Sequence, residues 1–160
     1  MKEAIFTREL KEAFEYLYPK AYVYKIPDTP RFPDNTGFRF IPKKPFDMFV
    51  LLDVFIAIEN KQKKNLSAFA FDDVKDHQLT ALIKTKNAGH KAFIIVNYRT
   101  DDYNKAFILD VNYFWHLKTV KFADRKSLPI NFLLTSCPSI NREKINNKTV
   151  WDVRLLETLN

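Results

Sequence analysis

The chain has 160 residues, enough for one compact domain with a buried core, and its apolar and aromatic content is that of a folded protein. Lys and Arg number 26 against 19 Asp and Glu, a formal net charge of +7, which favours polyanionic partners and nucleic acid first among them. Two glycines, Gly37 and Gly89, are too few for a Gly-rich phosphate loop, and one cysteine, Cys137, excludes an internal disulfide and a Cys-based zinc site.

In chain order, residues 2–18 read as an amphipathic helix. Ile5, Leu10, Ala13, Phe14 and Leu17 share one side, and Pro19 ends it. The charged start carries no apolar leader, and the most apolar stretch, residues 48–58, is far below the roughly 20 residues a membrane span needs. Together with the lone cysteine this gives a cytoplasmic expectation. Residues 21–26 alternate as a short strand with Tyr22 and Tyr24 on one face. Residues 27–45 hold five prolines, Gly37, Arg31, Arg39, Lys43 and Lys44, and read as a long basic loop.

Two strands follow at 46–52 and 54–61, with Asp53 at the turn. Asp72 and Asp73 are N-cap candidates for a helix that runs to about Asn87, where Gly89 is a natural C-terminal stop. Residues 91–98 are a buried strand, because 92–96 are continuously apolar. A further strand at 105–111 and a short helix at 112–120 complete the readable part; the pattern beyond is not assigned. Helix, three strands, helix, strand, strand makes an α/β fold, a mixed sheet with helices packed on it.

The three histidines, His77, His90 and His116, show no metal-ligand spacing, so the chemistry must be sought among carboxylates. Phosphodiester cleavage is commonly done by water attacking a phosphorus held beside a hard divalent ion, which takes oxygen ligands. A nearby ammonium holds a phosphate oxygen or orients the nucleophile. The minimal pattern is an acid on one strand and acid-x-Lys on its neighbour. Glu9-Leu10-Lys11, Asp73-Val74-Lys75 and Asp124-Arg125-Lys126 all have the bare spacing. Only Glu59-Asn60-Lys61 ends an apolar strand that follows a second apolar strand opening on an acid, Asp47. Alternation puts Glu59 and Lys61 on one face. Asp47 joins them if the turn has an odd number of residues centred on Asp53, or a bulge; a two-residue turn would set Asp47 across from Ile58. The plain reading is that these are solvated strand ends.

The blocks Phe6-x-x-Glu9-Leu10-Lys11, Pro45-Phe46-Asp47, Ile58-Glu59-Asn60-Lys61, Phe71-x-x-x-Lys75-Asp76-His77-Gln78-Leu79 and Val96-Asn97-Tyr98 follow one another in this order. In this, residues 6–114 resemble the RecU-type Holliday-junction resolvases, including the penicillin-binding-protein-related factor A group, and more distantly the archaeal resolvases. The resemblance implies the PD-(D/E)-x-K nuclease core, a central mixed sheet flanked by helices, as a single domain over 1–160. It implies a structure-selective endonuclease that resolves four-way DNA junctions by paired nicks as a homodimer. Mg²⁺, with Mn²⁺ able to substitute, would be held by Asp47 and Glu59, with Lys61 positioning water or phosphate. Gln78 would reach the site from the second helix. Glu9 is the match for a first-helix acid, with Glu12 one turn on as the alternative. Many relatives carry Phe-Glu where this chain has Phe6-Thr7. Arg31, Arg39, Lys43, Lys44, Lys63 and Lys64 are expected phosphate contacts, and Phe32, Phe38 and Phe40 either stack on DNA or anchor the loop. Phe69 and Phe71 are candidates for the dimer surface. Rival readings are another nuclease on the same core, or a junction-binding protein without cleavage.

Overall fold

The computed structural model describes residues 3–28 and 42–160. Helix α1 (Glu3–Leu17) leads into β1 (Tyr22–Lys25), β2 (Met48–Leu51), β3 (Phe55–Lys63) and the two-residue β4 (Phe69–Ala70). A 3-10 turn (Phe71–Asp73) precedes α2 (Asp76–Asn87), then β5 (Lys91–Arg99) and β6 (Asn104–Asp110). Helix α3 (Val111–His116) widens into a π-type turn at Leu117–Lys121. The rest is β7 (Ser127–Leu128), α4 (Ile130–Ser136), β8 (Ser139–Ile140), the ribbon β9 (Arg142–Ile145) and β10 (Lys148–Trp151), and α5 (Arg154–Thr158).

Six of these strands form one mixed sheet in the order β1-β2-β3-β5-β6-β8. Its single parallel pair is β3 with β5, and α2 lies in the connection between them. A parallel pair needs a crossover of this kind, and the crossover covers one face of the sheet. Helix α1 covers the other face. Phe6, Leu10, Ala13 and Phe14 meet Met48, Val50, Ile56, Ile58, Phe93 and Ile95 there, with Trp151 from β10. On the α2 side Ala57, Ala92, Ile94, Val96 and Tyr98 pack with Val74, Leu79 and Leu82. Both faces of β3 and β5 are therefore dry, which is why 92–96 carries no polar residue.

That alternation decides the fate of the polar end of β3. Ile56 and Ile58 belong to the α1 side and Ala57 to the α2 side. Glu59 and Lys61 have the parity of Ala57, and Asn60 that of Ile58. The turn between β2 and β3 has three residues, Leu52, Asp53 and Val54, since the last paired residues are Leu51 and Phe55. This is the odd loop centred on Asp53 that convergence demands.

Two local expectations are revised, and the boundary between β6 and α3 moves by one residue. Helix α2 begins at Asp76, not at Asp72 or Asp73, because Val74 turns into the core with extended backbone and interrupts the helical path. Asp110 ends β6 and caps α3: its carboxylate accepts from the N–H groups of Asn112 (2.9 Å) and Tyr113 (3.3 Å). Phe69 and Phe71 are buried among Phe114 and its neighbours, so they supply no dimer surface. Gly89 does follow α2, with φ +87°. No helix among the described residues is long and apolar enough to cross a membrane.

Adjacent residues of α1 test the two-sided core. Phe6 is 0 % exposed and Ile5 is 39 % exposed. Phe6→Ala should lower the unfolding free energy by about 3–5 kcal/mol, while Ile5→Ala should cost well under half of that. Urea denaturation of the two variants checks this, and equal midpoints would contradict the assigned helix face.

Candidate active site

The acidic pair sits where β2 and β3 leave their regular ladder. One step beyond the pair Met48 and Ile58, the register brings Asp47 to Glu59. Here the ladder loosens: the Asp47 N–H donates to the Ile58 carbonyl at 3.1 Å, one residue off register. On its other side the Asp47 carbonyl accepts from Ile26 N–H at 2.8 Å. Asp47 is thus held by its backbone from both neighbouring strands. Its side chain is also held, for Oδ2 accepts from the Asn60 N–H at 2.8 Å and Oδ1 lies 2.7 Å from Lys44 Nζ.

Glu59 is the most enclosed charge-bearing group here, 1 % exposed, against 7 % for Asp47 and 8 % for Lys61. Its Oε1 receives Lys61 Nζ at 2.8 Å and Gln78 Nε2 at 2.7 Å. The Gln78 amide is oriented from behind, because its Oε1 accepts from Lys75 N–H at 3.0 Å, at the start of α2. Glu59 Oε2 is buried and has no hydrogen-bond partner among the described residues. Burial pushes the Glu59 carboxyl up, and the Asp47 charge pushes it further, to about 7 against the ordinary 4.5; Lys61 opposes this without overcoming it. Lys44 loses solvation by burial, yet its bonds to Asp28 and Asp47 outweigh that and push it up to about 12, firmly charged.

The structure therefore brings Asp47, Glu59, Lys61 and Gln78 into one group. Glu9 is not brought to it. Its carboxylate accepts from Arg99, whose Nη1 is 3.2 Å away, and from the Trp151 indole at 3.0 Å. Burial raises the Glu9 carboxyl, but these two donors prevail and hold it below the usual range. Helix α1 packs on the face opposite Gln78, so Glu9 serves the junction of α1, β5 and β10. Glu12 faces solvent and lies 3.8 Å from Arg8. What α1 contributes beneath the acidic strand is Thr7, buried, whose Oγ1 accepts from Asn60 Nδ2 at 3.2 Å. The sequence does not single out Thr7 and Asn60 as a pair beside the acidic cluster. The signal was the departure itself, a Thr where an acid was expected.

Of the expected phosphate contacts, Lys43 and Lys64 are exposed. Lys63 lies 3.2 Å from Asp73, and Lys44 is committed to two carboxylates, Asp47 and Asp28. Arg31, Arg39, Phe32, Phe38 and Phe40 lie outside the described residues.

The donor chemistry suits a hard divalent cation. Two carboxylates adjoin, and one offers a buried oxygen with nothing bound to it, a costly arrangement unless something positive arrives. Among the described residues no cluster of three or more His, Cys, Asp and Glu is present, so water, backbone or phosphate oxygens would complete the shell.

Residues 50–152 match the family described as Recombination protein U, well over half of the chain. The chain belongs to the Recombination protein U family. This is a family of Holliday-junction resolvases, which use divalent metals. The matched segment contains Glu59, Lys61 and Gln78; Asp47 and α1 precede it. Among solved structures the chain is similar to Archaeoglobus fulgidus Hjc, a Holliday junction resolvase from an archaeal hyperthermophile. Identity is 13 % and the TM-score 0.36, over 94 % of this chain and 84 % of that one. No curated protein sequence matches it.

The raised Glu59 carboxyl has a signed consequence for stability. Its folded-state value of about 7 exceeds the ordinary 4.5, so the folded protein holds an extra proton between these limits. That contribution is fully present below 4.5 and is lost as pH rises to about 7. Glu59→Gln, which is neutral throughout, should flatten this slope: relative to the parent chain its urea midpoint should be higher at about pH 8 than at about pH 5. A pH-independent difference between the two proteins would refute the burial argument.

Proposed function

We propose that this resolvase-family chain is a metal-dependent endonuclease that resolves four-way DNA junctions by paired symmetric nicks, with Asp47, Glu59 and Lys61 at its centre. The observation that carries the reading is the adjacency of two buried carboxylates, Asp47 and Glu59, the second bound by the Lys61 ammonium on one oxygen and unpartnered among the described residues on the other. Family membership supports nuclease action on branched DNA.

Asp47 and Glu59 would hold the ion, and Mg²⁺ is the proposed one, with Mn²⁺ able to replace it. When bound, such an ion stabilises charge on the phosphoryl oxygens and acidifies a water. Lys61 holds Glu59 Oε1 and presents positive charge where a scissile phosphate would lie. Gln78, braced by the Lys75 N–H, keeps Glu59 in a single rotamer. Glu9 has a supporting role at most, bracing α1 against Arg99 and Trp151.

Recognition would be of shape and phosphate, not of base sequence. Lys43 and Lys64 are available for backbone contacts, Lys63 lies beside them in sequence, and Arg31 and Arg39 extend the basic set. The net charge of +7 supports this. Two nicks related by the junction's symmetry need two active sites, so a homodimer is proposed, acting in the cytoplasm.

Asp47→Asn or Glu59→Gln should reduce junction cleavage in Mg²⁺ by at least about a hundredfold while leaving junction binding in gel shift nearly unchanged. Lys61→Met should behave likewise. Parallel assays on a four-way junction, a flap and a linear duplex check the substrate. Preferential cutting of duplex would replace the resolvase reading with a repair- or restriction-type nuclease, and binding with no cleavage of any substrate would leave a junction-binding protein.

A further inference from the structure

Lys44 lies in Pro42-Lys43-Lys44-Pro45, where the prolines limit the backbone and aim the chain at Asp47 three residues on. Its side chain is only 17 % exposed, and its Nζ lies 2.7 Å from Asp47 Oδ1 and 2.8 Å from Asp28 Oδ1. The two carboxylates are not equivalent. Asp47 is buried and Asp28 stands largely in solvent. The other oxygen of Asp47 is taken by the Asn60 backbone N–H at 2.8 Å, a bond fixed by the strand itself. Both oxygens of Asp47 are therefore engaged, one by backbone and one by a side chain that can move.

A divalent ion needs an oxygen of Asp47 facing the site. An ammonium and a divalent cation sharing one carboxylate oxygen would lie about 4 Å apart, and their repulsion in a partly buried site is substantial. The two therefore compete for that oxygen. Lys44 has somewhere to go: Asp28 retains it near the cleft when it releases Asp47.

We infer that Lys44 is a positioning residue that occupies Asp47 Oδ1 in place of the ion, so that metal loading requires its release. The exchange ties the presence of the ion to the appearance of an ammonium no longer committed to Asp47, beside the path of the DNA backbone. This inference rests on the reading that Asp47 and Glu59 hold the metal. Lys44 thus differs from Lys61, which shares its strand with Glu59 and lies 2.8 Å from Glu59 Oε1.

The test uses the full chain without DNA and Mn²⁺ as the probe, with free ion counted by electron paramagnetic resonance. Lys44→Met and Lys44→Gln, two routes to a neutral side chain in case one fails to fold, should each bind Mn²⁺ about tenfold more tightly than the parent. Lys44→Arg, which restores the charge, should return the affinity towards the parent value. A role confined to propping the chain near Pro45 would weaken Mn²⁺ binding in all the variants or leave it unchanged. Unchanged or weaker binding by the neutral variants, with parent binding intact and lost in Asp47→Asn, overturns the inference alone. Parent binding that survives Asp47→Asn overturns the two-carboxylate reading, and this inference falls with it.

Discussion

A carboxylate kept almost entirely out of water, with two donors on one oxygen and none on the other, is a poor way to stabilise a fold. Glu59 is such a group, and much of the sheet is arranged to hold it so. Replacing it by an apolar residue of similar size would remove a desolvation cost that Lys61 and Gln78 only partly offset. The cost is concentrated at one end of β3, where the dry alternation of 56–58 passes into a polar run that remains buried. A cost placed so locally is what a functional site is expected to show.

The sheet divides the work between its faces. On the α2 side, Gln78 reaches Glu59, and the N–H of Lys75 at the helix start holds Gln78 in turn. On the α1 side, Thr7 reaches Asn60, the residue between Glu59 and Lys61 on β3. Asn60 is therefore tied to Asp47 through its backbone and to α1 through its side chain. A shift of α1 would move the strand segment on which Glu59 and Lys61 sit without touching either of them. The Glu9, Arg99 and Trp151 cluster fixes α1 against β5 and β10, and so contributes to the site at one remove.

Much of this could be read from the residues, and the exceptions have physical causes. The alternation of 54–61, the buried run 92–96 and the apolar stripe of α1 all follow from side-chain periodicity, which survives in any context. The convergence of Asp47 with Glu59 hinged on whether three residues or two formed the turn, a matter of backbone geometry that Asp53 alone does not determine. The start of α2 was misjudged because Asp72 and Asp73 have capping chemistry, while Val74 has a stronger demand for the core. The sequence offers Lys44 as a basic phosphate contact and Glu9 as the match for a first-helix acid. Their partners, Asp47 and Asp28 in one case, Arg99 and Trp151 in the other, come from elements that only tertiary structure brings near. The β9–β10 ribbon was unassigned although Asn146 and Asn147 both adopt positive φ in its two-residue turn, a pairing that suits a hairpin even without glycine.

The bond between Glu9 and Trp151 joins residues 142 positions apart, and β3 must find β5 across an intervening helix. During synthesis the apolar stripe of α1 is made long before the indole that covers it. Until then Phe6, Leu10 and Phe14 have only a partial shelter, and the seating of α1 waits on a contact distant in sequence. Contacts of such sequence separation form late and slow the closing of a fold.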